Sequence, residues 1–286
     1  MRLMVTGAGG MAGAEVRRQA VEREWECSSF TRNQLDITDA DAVIDAVMAS
    51  VPDIVVNAAA YTAVDDAERD EERATLVNGA GARNVADAAR KVGATVIHIS
   101  TDYVFDGTSS QPYLPSDRVN PLGAYGRSKL AGEIAVRESH ARHLILRTSW
   151  VYSHEGRNFV RTMLRIASDR PSIDVVNDQH GSPTSAHDLA RAILDAAELM
   201  QRNASLQGTY HFSNSNVTTW YDFAKEIFQL HHGTAPVINA TTSASYRTAA
   251  KRPEWSVLDC ASFEHDFGIT RRPWQEALRD VLAELQ

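Results

Sequence analysis

The stretch RLMVTGAGGMAG, residues 2–13, joins a short apolar run to a glycine-rich turn and the start of a helical pattern. Its glycines Gly7, Gly10 and Gly13 stand three residues apart. Glycine permits a tight turn, close approach of backbone to a pyrophosphate and close packing of helix on strand, while the helix N-terminus offers free N–H groups. The stretch therefore predicts a strand–turn–helix unit that binds a dinucleotide, with an unliganded tight turn as the alternative.

The same alternation of short apolar runs and longer helical segments continues to about residue 150 and then loosens. This pattern is typical of a parallel sheet with crossover helices. It predicts an α/β fold, a Rossmann-type doubly wound parallel sheet with a smaller, interrupted C-terminal substrate domain over the carboxyl edge of the sheet. The NAD(P)-binding domain is predicted to span residues 1–150 and about 176–213, and the substrate domain about 151–175 and 214–286.

Three longer segments carry specific secondary-structure predictions. EERATLVNGAGARNVADAARKVG, residues 71–93, is predicted to be one long helix. HLILRTSWVY, residues 143–152, is predicted to be one strand, and GTYHFSN, residues 208–214, to return as a further strand of the main sheet.

Composition excludes several classes of protein. The chain has 286 residues, 43% of them hydrophobic, and a net charge of −8 without a basic run, so nucleic acid and anionic membrane surfaces are not expected partners. Cys27 and Cys260 lie far apart without metal-ligand spacing and predict reduced thiols. Because no segment resembles a signal peptide or a membrane span, we expect a cytoplasmic protein.

The end of the second predicted strand, SFTRNQLDIT, bears on the cofactor. Thr31 and Arg32 stand where an acidic residue would accept the ribose 2′-hydroxyl of NAD. A guanidinium can hold a 2′-phosphate, so we expect NADPH to be preferred with NADH possible, unless Arg32 is only an exposed loop residue. Asp36 and Ile37 fall where the adenine ring would lie.

The segments after the third and fourth strands supply further candidates. NAAAYTAVDDAE, residues 57–68, has small residues at a strand end, and Ala59, Ala60, Tyr61 and Thr62 are predicted to form the cofactor wall.

ISTDYVFDG places Ser100, Thr101 and Asp102 at the end of the fourth strand, and YGRSK places Tyr125 and Lys129 one helical turn apart. We predict that Thr101 hydrogen-bonds a carbonyl oxygen, that Tyr125 protonates it, and that Lys129 tunes the phenol. In this arrangement the cofactor supplies the hydride.

GAGGMAG, LDIT, NAAAYTAVDDAE, STDYVFDG and YGRSK together resemble the extended short-chain dehydrogenase/reductase family. The resemblance covers nearly the whole chain, with further matches at RTSWVY, NFVRTML, NDQHGSPTSAHDLA, GTYHFSN and RPEWSVLD. It implies transfer of hydride from NAD(P)H to the C4 ketone of dTDP-4-dehydro-L-rhamnose, giving dTDP-L-rhamnose. The site residues that it implies are Tyr125 as proton donor, Lys129 at Tyr125 and the nicotinamide ribose, Thr101, Asp102 and Trp150 at the substrate, and Met11 and Ala12 within the glycine loop.

Some members of the family dimerise around a metal held by acidic residues. Glu15 fits one such position, but His187 stands where another carboxylate would be expected. Because a hard cation prefers oxygen ligands, we predict no metal site, and either a monomer or a homodimer.

Two alternatives stay open. One is a 4-ketoreductase for another deoxysugar nucleotide, because the same apparatus can reduce many ketones. The other is a non-catalytic, NADP-binding regulatory subunit of methionine adenosyltransferase, because chains of this type also serve in that role. The intact pair of Tyr125 and Lys129 favours an enzyme.

Overall fold

The apolar runs of the N-terminal half form the strands of one central sheet. The computed structural model describes residues 1–231, 233 and 235–285. Its strands are β1 (Arg2–Thr6), β2 (Glu26–Phe30), β3 (Ile54–Asn57), β4 (Thr95–Thr101), β5 (His143–Thr148), β6 (Val151–Tyr152), β7 (Ser172–Val176), β8 (His180–Gly181), β9 (Thr184–Ser185), β10 (Gly208–His211), β11 (Thr218–Thr219) and β12 (Val237–Thr241). Its helices are α1 (Met11–Glu22), α2 (Ala40–Ser50), α3 (Val64–Ala67), α4 (Glu71–Thr75), α5 (Ala82–Lys91), α6 (Ala124–Glu138), α7 (Phe159–Asp169), α8 (Ala186–Arg202), α9 (Trp220–Leu230), α10 (Ala261–Phe267) and α11 (Trp274–Ala283). In this described part of the chain, no helix has the length and apolar character needed to cross a membrane.

The central sheet has six parallel strands in the order β2-β1-β3-β4-β5-β10. The predicted doubly wound α/β fold is confirmed, and β10 joins the sheet as expected for residues 208–214. The order reverses between β1 and β3, where ligands of such sheets bind beyond the carboxyl ends of the strands.

Alternate strand residues point to opposite faces of the sheet and fill two hydrophobic layers. Leu3 and Val5 pack in the layer that includes α1 and α8, whereas Met4 packs in the layer that includes α2, α5 and α6. Both faces of the sheet are therefore covered, which explains the near-continuous apolar runs of the strands.

A separate hydrophobic cluster joins the later part of the chain. Residues of α7, β7, α9 and α11 pack together, with Phe223, Ile227 and Leu278 fully buried among them. The parallel pairing of β7 with β12 lies beside this cluster. The division of the chain into two domains at the predicted residues stays a prediction.

The long helix predicted for residues 71–93 is interrupted. α4 and α5 are joined by a π-helical segment, Leu76–Gly81, which inserts an extra residue into the helical path. Gly79 and Gly81 lie within this segment, and a Cβ at Gly81 would lie 2.7 Å from the Ile37 side chain. The segment therefore packs closely against its neighbours, and periodicity in the sequence does not reveal the extra residue.

The strand predicted for residues 143–152 also breaks. Between β5 and β6, Trp150 adopts a left-handed backbone conformation with φ 49°. β6 then leaves the central sheet and pairs with β9. Some elements are short and lack strong periodicity in the sequence: strands β7, β8, β9, β11 and β12 and helices α3 and α10.

The glycine loop after β1 is held by backbone-to-backbone contact. Gly7 has φ 71°, and a Cβ there would lie 2.5 Å from the Ala59 nitrogen. A Cβ at Gly13 would lie 2.3 Å from the Gly7 oxygen, whereas one at Gly10 would meet that oxygen at 3.4 Å. Gly7 and Gly13 are thus required by the packing of the fold, and Gly10 is not.

Gly13→Ala should therefore destabilise the protein, because the added methyl group forces backbone apart; we expect a loss of about 1–3 kcal/mol in the free energy of unfolding. Gly10→Ala is the matched control and should stay within about 0.5 kcal/mol of the parent. Urea unfolding followed by circular dichroism measures both, and equal stabilities of the two variants would contradict this account of the loop.

Candidate active site

The N-terminus of α1 is suited to hold the diphosphate of a dinucleotide. Within the described residues no side chain caps this helix, whose N-cap residue is Gly10. A Cβ at Gly10 would meet only the Gly7 oxygen within 4 Å, so space is open in front of the helix. Unpaired N–H groups and the positive end of the helix dipole favour an anion there.

Met11 and Ala12, both predicted to contact the cofactor, differ in their surroundings. The Met11 sulfur lies 3.6 Å from the Asn158 side-chain nitrogen, and the Met11 side chain also packs near Gly156. Ala12 is partly buried against the hydrophobic layer that includes α1 and α8. Met11 therefore connects the glycine loop to the segment that precedes α7.

The end of β2 lies beside the glycine loop. A Cβ at Gly9 would lie 3.5 Å from Thr31, whose hydroxyl donates to the Gln34 side chain, and Arg32 is exposed next to it. The exposed Asp36 accepts hydrogen bonds from the backbone and hydroxyl of Thr38, which lower the pKa of its carboxyl.

The side chain of Ile37 is buried in the hydrophobic layer that includes α2 and α5. The backbone of Ile37 accepts a hydrogen bond from Asn84. The Ile37 side chain, predicted to lie at the adenine ring, is therefore part of the hydrophobic core.

The predicted cofactor wall follows β3. Ala59 lies against Gly7, Ala60 and Tyr61 are half-buried, and Thr62 is exposed. Tyr61 is held by Asn78, whose side chain accepts from the Tyr61 nitrogen at 2.8 Å and donates to its oxygen at 3.1 Å.

Asn78 also reaches the helix that carries Tyr125. Its amide donates to the Ser128 hydroxyl at 2.8 Å, and that hydroxyl donates to the Tyr125 carbonyl oxygen at 2.8 Å. Asn78 and Ser128 were not found from the sequence, because the contact depends on the π-helical segment that turns Asn78 toward α6.

Thr101, Tyr125 and Lys129 meet at the carboxyl edge of the sheet. The Thr101 hydroxyl lies beside the Tyr125 phenol, near enough to influence its pKa. Burial raises the pKa of Tyr125 to about 12; the Asp102 charge adds to this, and the Thr101 contact opposes it. The phenol is therefore protonated at neutral pH.

Lys129 lies one helical turn beyond Tyr125 and is buried. Its ammonium donates to the Ile99 carbonyl oxygen at 2.7 Å. Burial lowers the pKa of Lys129 to about 8, against the opposing effect of the Glu133 carboxylate. The cation is thus held inside the protein by one carbonyl and one nearby negative charge.

Glu133 belongs to a buried polar network beneath Lys129. Its carboxylate accepts two hydrogen bonds of 2.8 Å from Arg147 and one of 2.6 Å from the Ser100 hydroxyl. Glu133 and Arg147 are 0% and 3% exposed. The helical spacing of Lys129 and Glu133 was a signal for this network, but Arg147 on β5 could be placed only by the sheet.

Asp102 has a different environment from Glu133. One carboxylate oxygen accepts from Thr101 at 3.0 Å, and the other, Oδ2, has no hydrogen-bond partner among the described residues. Burial raises the pKa of Asp102 to about 7, although contacts with Ser256 and Thr101 oppose the shift. A buried, unpaired oxygen of this kind is available to a ligand that donates a hydrogen bond.

Trp150 lies near the same edge of the sheet. It follows Thr148, the partner of Thr101 in the pairing of β4 with β5. Its ring stacks on Trp220 with centroids 3.7 Å apart, and it closely approaches Gly181. Trp150 is half-buried, so part of the ring remains accessible.

Glu15 and His187, the two positions considered for a metal site, make contacts within the protein. Glu15 is buried and accepts from Arg18 at 2.8 Å, and the backbone of His187 accepts from Gln19. Within the described residues, no group of three or more His, Cys, Asp or Glu is placed to hold a metal ion. The absence of a metal in the working protein stays a prediction.

The whole length of the chain matches one protein family. A model described as the RmlD substrate binding domain matches residues 1–286. The chain belongs to this family. A dTDP-4-dehydrorhamnose reductase of Sinorhizobium fredii is 42% identical over 287 residues, which cover 99% of this chain and 97% of the relative.

Two further relatives extend the comparison. A crystal structure of dTDP-4-dehydrorhamnose reductase from Bacillus anthracis, in complex with NADP, is 38% identical with a TM-score of 0.93 and covers 99% of each chain. A probable dTDP-4,6-dihydroxy-2-methyloxan-3-one 4-ketoreductase of Streptomyces antibioticus is 40% identical, covering 100% of this chain and 96% of the relative.

These similarities confirm the predicted family type and the predicted class of enzyme, an oxidoreductase with a nicotinamide cofactor. The roles of individual site residues and the preference for NADPH stay predictions. The cytoplasmic location, the oligomeric state and the lack of nucleic-acid and membrane partners also stay predictions.

The buried ammonium of Lys129 should give stability a specific pH dependence. With a folded-state pKa of about 8 and an ordinary value of 10.5, the native state loses its proton first, so stability rises with pH between these values. The rise should be on the order of 3 kcal/mol and should be absent in Lys129→Met. Urea unfolding from pH 7.5 to 10.5 measures it, with Lys225→Met, an exposed lysine on α9, as control; an equal rise in Lys129→Met would contradict the assignment.

Proposed function

We propose that this protein reduces the C4 ketone of dTDP-4-dehydro-L-rhamnose with NAD(P)H to give dTDP-L-rhamnose. The observation that carries the proposal is the meeting of buried Thr101, at the end of β4, with Tyr125 and Lys129, which lie one helical turn apart on α6. The names of relatives at about 40% identity over the full chain support the choice of substrate.

Tyr125 is the proton donor in this proposal. A reduced nicotinamide held at the glycine loop would supply the hydride for C4 of the sugar. As negative charge develops on the C4 oxygen, the Thr101 hydroxyl turns its proton from Asp102 to that oxygen and Tyr125 transfers its own proton, which leaves a phenolate that solvent reprotonates. A phenol whose pKa is about 12 keeps its proton until that charge appears.

Lys129 acts on Tyr125 through charge. Its ammonium lies on the same face of α6 and stabilises the phenolate that remains after proton transfer. The Ile99 carbonyl fixes the ammonium, and the Glu133 carboxylate favours its charged form. A position at the nicotinamide ribose is consistent with the place of Lys129 beside the crevice of the β1–β3 switch point.

Asp102 and Trp150 are proposed to contact the substrate. The unpaired Oδ2 of Asp102 suits a sugar hydroxyl, which can donate a hydrogen bond that a ketone cannot. The half-accessible ring of Trp150 offers an apolar surface to the sugar nucleotide. Both residues follow strands that end next to Tyr125.

The glycine loop and the end of β2 are proposed to hold the cofactor. Gly10 leaves room for the diphosphate in front of α1, while Gly7 and Gly13 let the loop pack closely behind it, and Met11 and Ala12 lie in the first turn of the helix. Thr31 and Arg32 are placed beside that loop for a 2′-phosphate, which makes NADPH the preferred reductant.

A second candidate is a 4-ketoreductase for another dTDP-deoxysugar. The relative from Streptomyces antibioticus named for that activity is nearly as similar as the rhamnose-type reductases. Its proposed chemistry uses the same proton donor, so the substrate alone separates the two functions.

The direct test supplies dTDP-4-dehydro-L-rhamnose with NADPH, follows NADPH absorbance and identifies the product sugar by NMR. Tyr125→Phe should bind NADPH nearly as tightly as the parent and lose about 100- to 10,000-fold in kcat, because the proton donor is removed. Tyr210→Phe, on β10, is the control and should keep turnover within about twofold. Full turnover in Tyr125→Phe would refute its role, and turnover only with dTDP-4,6-dihydroxy-2-methyloxan-3-one would favour the second candidate.

Arg32→Ala tests the choice of cofactor. Loss of a charged hydrogen-bonding group should weaken NADPH binding by about 10- to 100-fold and leave NADH binding nearly unchanged. Fluorescence titration of both cofactors measures the difference, with Arg279→Ala, an exposed arginine on α11, as control. Equal losses for the two cofactors would rule out a contact between Arg32 and the 2′-phosphate.

A further inference from the structure

A segment near the C-terminus lies against the end of α6 that carries Tyr125. We call residues 249–256 the strap. Its residues Ala250, Lys251 and Pro253 line a small cavity together with Tyr103 and Tyr125. The strap is therefore a neighbour of the proposed proton donor, although it follows it by more than a hundred residues in the chain.

Asp65, between β3 and α4, anchors one end of the strap. Its carboxylate accepts from the Ala250 nitrogen at 2.9 Å and from both terminal nitrogens of Arg252, at 3.1 and 2.8 Å. The Arg252 guanidinium also donates to the Ala250 oxygen at 3.1 Å. This two-pronged geometry fixes the plane of the guanidinium.

The other end of the strap is tied to the site as well. Ser256 is buried, and its nitrogen donates to the His180 oxygen at 2.9 Å. The Ser256 hydroxyl donates to the same oxygen at 3.3 Å and lies near enough to Asp102 to oppose the rise in the pKa of its carboxyl. With both ends held, Arg252 lies on a segment that has little freedom to move away from α6.

Arg252 reaches Tyr125 through one aromatic ring. Its guanidinium lies beside the Tyr103 phenol, near enough to oppose the rise that burial causes in the pKa of that phenol, and its neighbours Lys251 and Pro253 line the same cavity as Tyr103. The ring of Tyr103 packs edge-on against the ring of Tyr125, with centroids 5.8 Å apart and planes at 80°. Asp65, Arg252, Tyr103 and Tyr125 thus form one continuous series of contacts from the protein surface to the phenol.

We propose that Arg252 is a positioning residue for the reduction: anchored by Asp65, it holds the Tyr103 ring in place, and that ring sets the position of the Tyr125 phenol. This inference rests on the proposed function, in which the Tyr125 hydroxyl must reach the substrate oxygen. Aromatic edge contacts are directional, so a displaced Tyr103 moves the surface on which Tyr125 rests. Small errors in the position of a reacting group have large effects on rate.

A second arginine provides a matched comparison. Arg127 lies on α6, two residues from Tyr125, and binds both oxygens of Glu71 at 2.7 and 2.8 Å. Its side chain is 44% exposed, against 20% for Arg252. Arg127→Gln therefore removes an arginine–carboxylate ion pair from α6, the helix that carries Tyr125, and leaves the surroundings of Tyr103 unchanged.

The test measures kcat and KM for the sugar nucleotide in four proteins: the parent, Arg252→Gln, Tyr103→Phe and the double variant. Arg252→Gln should lower kcat about tenfold or more with a smaller change in KM, because the phenol is misplaced while the substrate contacts remain. In the Tyr103→Phe background the same change should alter kcat by less than about twofold, because Arg252 acts through the Tyr103 hydroxyl. Arg127→Gln should leave kcat within about twofold of the parent.

Two outcomes would overturn the proposal. An equal loss of kcat from Arg252→Gln in both backgrounds would show that Tyr103 does not transmit the effect, and a loss confined to KM would show that Arg252 contacts the substrate. Thermal unfolding and NADPH binding check that each variant is folded. If Arg252→Gln does not fold, Asp65→Asn takes its place, and an unchanged kcat in Asp65→Asn counts against the anchor.

Failure of the proposed function is recognised separately. If the parent reduces no dTDP-ketosugar, the proposed function is wrong. NMR of protein labelled at the tyrosine 13Cζ then still tests whether Arg252 affects the surroundings of Tyr125. The Tyr125 resonance, assigned with Tyr125→Phe, should shift in Arg252→Gln and stay in place in Arg127→Gln. An unchanged Tyr125 resonance in Arg252→Gln would overturn the positioning role in that case too.

Discussion

The backbone of the loop after β1 lies directly on the backbone of the loop after β3, and the rest of the site depends on that contact. Gly7 meets Ala58 and Ala59 where a Cβ would come within 2.6 Å of backbone atoms, and Gly13 closes on Gly7 from the other side. The contact sets α1 at the point where the order of strands reverses. The free N–H groups of α1 are thereby aimed into the crevice toward which β4 and α6 direct Thr101 and Tyr125.

The charges around Tyr125 differ in how well they are compensated. Lys129, Glu133 and Arg147 are buried together, and the carboxylate satisfies the guanidinium with two hydrogen bonds. Asp102 is equally buried but leaves one oxygen unpaired. Burial is costly for an uncompensated carboxylate, which is why the pKa of Asp102 is raised to about 7, and the unpaired oxygen can accept a hydrogen bond from a ligand.

Much of the fold followed from sequence because local patterns and the final packing agree. The strands that become β1, β3 and β4 are apolar throughout since both faces of the sheet are covered, and α1 and α6 have clear helical periods. The break at Trp150 was missed because nothing local requires a tryptophan to adopt φ 49°; the ring stack with Trp220 and the pairing of β6 with β9 do so. The position of Glu133 near Lys129 could be predicted from helical spacing. The positions of Asn78 and Arg252 could not, because the π-helical segment brings Asn78 to its partners and the strap brings Arg252 to its own.

The π-helical segment has a consequence for the lengths that this part of the chain can take. Residues Leu76–Gly81 contain one residue more than a regular α-helix would use, and an α-helix turns by about 100° per residue. Deleting one residue there would yield an unbroken helix of better local geometry. It would also rotate Asn78 away from Tyr61 and Ser128, so these contacts constrain the length of the segment. Insertions and deletions in natural variants should then fall in the loops on either side of this helix and spare its interior.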